Sequence, residues 1–84
     1  MSVQVINGDC RVEVPRLGQF DFVFADPPFN IGQQYNGYSD RRRDFDEFTS
    51  EWIEVCWNAC RGVMALHGPD DLAELYILAA RKLG

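Results

Sequence analysis

Phe20-Asp21-Phe22-Val23-Phe24-Ala25-Asp26-Pro27-Pro28-Phe29 is the stretch on which the fold turns. Its first six residues are nearly all apolar, interrupted only by Asp21, which is the pattern of a strand buried in a parallel sheet. Two prolines then stop it, because neither offers an N–H to a sheet ladder and each holds φ at about −65°. Upstream, Val3 to Ile6 is a β-branched run ended by Asn7-Gly8, and downstream, Val63 to His67 is an apolar run ended by Gly68-Pro69. Both read as further strands.

Helical stretches separate these runs. Cys10 to Leu17 predicts a short helix, restricted late by Pro15 and closed by Gly18. Thr49 and Ser50 offer an N-cap to a helix whose Trp52, Ile53, Val55, Cys56, Ala59 and Cys60 share one broad face before Arg61-Gly62 closes it. A last helix opens on Asp70-Asp71, buries Leu72, Leu75, Tyr76, Leu78, Ala79 and Leu83, and carries Arg81-Lys82 at its end, as the helix dipole favours. Residues 30 to 46, rich in Gly, Asn, Gln, Tyr and Arg, predict a long loop. The alternation predicts an α/β chain with about three parallel strands in a three-layer, Rossmann-like arrangement.

The bulk properties narrow the possibilities. A chain of 84 residues is at most one domain, and it buries only about 60% of its unfolded surface, so its core is marginal without further polypeptide. The net charge of −5 excludes a chain that holds nucleic acid by bulk attraction. Its one basic run, Arg41-Arg42-Arg43, stands among Asp40, Asp44, Asp46 and Glu47, so it reads either as a solvated face or as a group that touches phosphates at contact range. Three cysteines without a secretory leader read as free thiols in a reducing cytoplasm. No apolar run approaches the ~20 residues that span a bilayer, so no membrane partner is expected.

In open parallel sheets, ligands bind beyond the carboxyl ends of the strands, and Asp9 and Asp26 come after two of the predicted strands there, Asp9 reading equally as a turn acid that caps Cys10 to Leu17. The turn after Asp26 is more specific. Pro27 and Pro28 stiffen it and leave the Pro27 carbonyl as an acceptor, Phe29 adds a stacking ring, and Asn30 adds an amide. A carboxylate, a fixed carbonyl and a ring suit the gripping of a flipped base by its exocyclic amine. That amine is a poor nucleophile because its lone pair is delocalised into the ring. Two acceptors drawing on its N–H groups pull the nitrogen toward tetrahedral geometry, and the Asp26 charge opposes the positive charge that develops on attack.

Asp26-Pro27-Pro28-Phe29 resembles the Asp-Pro-Pro-Tyr/Phe signature of adenine-N6 DNA methyltransferases. The wider blocks, Ile6-Asn7-Gly8-Asp9-Cys10 and Phe20 through Gly32, resemble the β-group, exemplified by the cell-cycle-regulated adenine methyltransferases of bacteria. The resemblance implies an S-adenosylmethionine-dependent methyltransferase fold and DNA as partner, in a cytoplasm of bacterial or phage type. It implies Asp26, Pro27, Pro28 and Phe29 as the catalytic set, with Asp9, Cys10 and Asp26 toward the cofactor. Asn30, Arg41, Arg42 and Arg43 would lie toward DNA. Phe29 replaces the commoner Tyr and keeps the ring. The family's Phe-x-Gly-x-Gly cofactor loop is absent from these residues. The chain is therefore expected to be the amino-terminal portion of a catalytic domain, inactive by itself, with the cofactor loop and target-recognition domain on a missing carboxyl-terminal half or a second chain, and a homodimer as another assembly.

Other readings stay open. A cytosine-N4 enzyme of the same family more often carries Ser in place of Asp26. A remnant without catalysis, or one half of a split enzyme, would keep the motif and lose turnover. A nucleotide hydrolase would need a Gly-rich phosphate loop with Lys, which is missing. Cys56, Cys60 and His67 match no strong zinc spacing, so no metal is expected and the thiols read as buried. Tyr35 and Tyr38 either cover the base pocket or decorate the loop, Trp52 and Trp57 read as core or interface, and His67 as a strand-end residue.

Overall fold

The computed structural model describes residues 3–27, 34–35, 38–39 and 43–83. Helix α1 (Cys10–Glu13) runs into a 3₁₀ turn, Val14–Arg16, that holds Pro15 where the lack of an N–H costs nothing. Gly18, at φ 94°, reverses the chain into β1 (Phe20–Ala25). A short antiparallel pair, β2 (Gln34–Tyr35) and β3 (Tyr38–Ser39), interrupts the stretch expected to be loop throughout.

Helix α2 (Phe45–Ala59) starts four residues before the cap expected at Thr49. Asp46 and Glu47 fill its first turn, where the dipole favours acids, and Thr49 is fully buried inside the helix. The helix passes directly into β4 (Cys60–Leu66), so Arg61-Gly62 belongs to the strand instead of closing the helix. A 3₁₀ turn, Asp70–Leu72, leads into α3 (Ala73–Arg81).

β1 and β4 pair in parallel, Phe22 opposite Val63 and Ala25 opposite Leu66, with a register shift between Phe20 and Phe22. Gly62 makes that shift possible, since a Cβ there would collide with the Asp21 carbonyl. Val23, Ala25, Met64 and Leu66 face a core made by Trp52, Ile53 and Cys56 of α2 and Tyr76 and Ala79 of α3. Cys10 packs against the same core, which places α1 on the helical side.

Two expectations change. Among the described residues the parallel sheet has two strands, since Val3 to Ile6 joins no ladder. Val3 is 89% and Val5 90% exposed, and a β-branched run gains a strand only where a neighbour supplies hydrogen bonds and a surface to cover. The three-layer expectation also gives way, among the described residues, to two layers, with helices on one face of the sheet. The other face carries Phe20, Phe22, Phe24 and Val63, which are exposed. No helix among the described residues is long and apolar enough to cross a membrane.

Candidate active site

The carboxyl ends of β1 and β4 lie side by side. The ladder runs one bond past the strands, with the His67 N–H donating to the Ala25 carbonyl at 2.9 Å. His67 is thereby brought next to Asp26, and its Nδ1 lies 2.9 Å from Asp26 Oδ1. The imidazole also stacks near Phe24, with ring centroids 6.5 Å apart and planes at 30°. Asp26 and His67 both have exposed side chains, so the pair opens to solvent, and Pro27 comes next, half-buried.

Tyr76 of α3 closes the ground beneath this end. A Cβ on Gly68 would stand 2.8 Å from the Tyr76 ring, so glycine is what lets the chain turn over the phenol. Burial first, and the Asp26 charge second, push the Tyr76 phenol up from its ordinary range. The ring meets Trp52 edge-on at 5.7 Å.

Asp9 stands elsewhere in role. Its side chain caps α1 by accepting from the Arg11 N–H at 2.9 Å, and both of its oxygens also accept from the Arg11 guanidinium. Arg11 continues to Glu51 at 2.9 Å and lies over the Phe48 ring, joining α1 to α2. The Asp9 hydrogen bond, first among several causes, drives the Arg11 guanidinium further up. Asp9 comes after no strand of the sheet, so the expected pair of strand-end acids reduces to Asp26.

Cys10, next to it, is half-buried against the core, where desolvation pushes its thiol up. Cys56 behaves likewise, and all three cysteines are free. No cluster of metal-ligating groups occurs among the described residues. Arg43 is exposed just before α2, and Arg41, Arg42, Pro28, Phe29 and Asn30 lie outside the described residues. Among the described residues, the carboxyl end of β1 thus presents the Asp26 carboxylate with Pro27 directly after it.

Sequence reasoning misses the neighbour of Asp26. It reads His67 as a strand-end residue, and that position is itself the signal, because the residues just beyond two adjacent parallel strands meet. A groove between α2 and α3, lined by Ser50, Leu75, Leu78 and Lys82 among others, contains none of the expected site residues.

No known family profile matches the chain, and no solved structure does. Two curated proteins are similar to it. Type II methyltransferase M.HpaI of Haemophilus parainfluenzae is 29% identical over 70 residues, covering 76% of this chain and 22% of the relative. DNA adenine methyltransferase YhdJ of Escherichia coli (strain K12) is 28% identical over 85 aligned positions, covering 94% of this chain and 29% of the relative. The chain spans less than a third of the length of either. Over most of its own length, this chain is similar to a stretch of two methyltransferases, one of which is named a DNA adenine methyltransferase.

Proposed function

We propose that this chain carries the amine-gripping part of a DNA methyltransferase acting on adenine N6. The observation that carries the reading is the exposed Asp26 carboxylate, with Pro27 directly after it, at the carboxyl end of a parallel strand. The likeness to a DNA adenine methyltransferase supports it. Asp26 accepts one N–H of a flipped base's exocyclic amine, and the Pro27 carbonyl takes the other. Together they hold the nitrogen lone pair toward the incoming methyl group. The methylated nitrogen then loses its extra proton to solvent, so no base need act first. S-adenosylmethionine would supply the methyl group and depart as S-adenosylhomocysteine, and no Phe-x-Gly-x-Gly loop to hold it occurs in these 84 residues. Phe29 stacks on the base and returns roughly 1–3 kcal/mol against the few kcal/mol spent on flipping.

A cytosine-N4 specificity remains the second reading for the same geometry, since both bases present an exocyclic amine. A chimera in which this chain replaces the matching segment of the Escherichia coli relative tests the assignment. It should methylate adenine in duplex DNA, and Asp26→Ala should abolish turnover while calorimetry shows S-adenosylmethionine binding largely kept. Retained turnover in that variant would sink the role of Asp26. Micromolar binding of S-adenosylmethionine by the isolated chain would contradict the expectation that it lacks the cofactor site.

A further inference from the structure

We propose that His67 is the positioning residue for Asp26: its Nδ1–H holds Oδ1, so that the carboxylate presents Oδ2 to the substrate amine. The inference rests on the methyl-transfer reading above. A carboxylate only accepts hydrogen bonds, so at 2.9 Å the hydrogen between these groups belongs to Nδ1. Three restraints converge on the imidazole. Its backbone N–H is tied to Ala25, its ring lies against Phe24, and Gly68 behind it turns tightly over Tyr76.

The need for such a residue arises from exposure. Asp26 is more than half open to solvent, at 59% for its side chain, so on its own it would sample several rotamers. An acceptor that must pull an amine out of its plane has to be held within a fraction of an ångström. His67 supplies that restraint from the adjacent strand. The Nδ1–H is a donor to the carboxylate in the neutral Nδ1–H tautomer and in the protonated ring alike.

His67 is the chain's one histidine, so its imidazole signals can be assigned without ambiguity. In ¹⁵N NMR of the chain at neutral pH, the Nδ1–H tautomer should dominate. In Asp26→Ala it should revert toward the Nε2–H form that free histidine prefers. Identical tautomers in the two chains would overturn the proposal, whether or not any chimera is active.

Turnover provides the second arm. In the chimera, His67→Phe keeps the stacking ring and loses the donor, and it should lower kcat on the order of 10- to 100-fold with KM for DNA little changed. His67→Asn, whose amide N–H can reach the same oxygen, should recover most of that loss. Full turnover in His67→Phe, with Asp26→Ala dead, sinks the positioning role alone. Full turnover in Asp26→Ala sinks the methyl-transfer reading beneath it.

Discussion

Gly62 shows how much a single residue decides in this fold. Any side chain there would run into the Asp21 carbonyl, which belongs to the strand's own partner and has no room to retreat. Gly62→Ala should cost roughly 1–3 kcal/mol in chemical denaturation, the range of overpacking, and should disturb the β1–β4 register. Buried ionisable groups give the molecule a pH limit. Desolvation raises the Cys10 and Cys56 thiols and the Tyr76 phenol, so each stays neutral in the fold at a pH where the unfolded chain has begun to ionise. Stability is then full below the ordinary thiol value of about 8.5 and falls as pH rises through the raised values. Urea midpoints measured between pH 7 and 10 should decline steadily from about pH 8.5.

Among the elements, α1 tests the two meanings of Asp9. If its carboxylate serves the helix and Arg11, Asp9→Ala should cost about 1 kcal/mol of stability, read from thermal melts. In the chimera the same substitution should leave S-adenosylmethionine affinity within about threefold, a shift that small, like the ~1 kcal/mol, being indirect. A much larger loss would restore Asp9 to the cofactor site. The elements also show how far sequence alone reaches. β1 is legible to the residue, because its apolar run and the prolines after it are local signals. So is the existence of α2, β4 and α3. The start of α2 is misplaced from sequence because a buried Thr49 looks like a cap there, and only packing against the core tells the two apart. Val3 to Ile6 fails for the opposite reason: strand propensity there is real, but pairing is a property of the neighbour. The end of β1 at Asp26 is legible, whereas the contact of Asp26 with His67 joins residues 41 positions apart and emerges only once the two strands align.

At the scale of the molecule, one sheet face is clothed by helices and the other is bare. Parallel sheets are ordinarily covered on both sides. The exposed parts of Phe20, Phe22, Phe24 and Val63 amount to roughly 400 Å², about half of what each partner contributes to a standard interface. Self-association through this face alone would therefore be weak, and the net charge of −5 on each copy opposes it further. Sedimentation of the chain should show monomer at micromolar concentration, and a Phe22→Ser, Phe24→Ser pair should raise solubility and cut binding of an apolar dye without changing far-ultraviolet dichroism. A tight dimer, abolished by that pair, would reverse the conclusion.

The partnership of β1 with β4 has a consequence in time as well as in space. Phe20 waits for Cys60, and Ala25 for Leu66, so the sheet closes only after some forty intervening residues have been made. Non-local pairing of this kind is slow compared with the winding of α2 and α3. During synthesis the apolar β1 strand emerges first and stays without its ladder until β4 clears the ribosome. Its aromatic residues are then the segment most open to chaperone capture or to misassociation with another nascent copy.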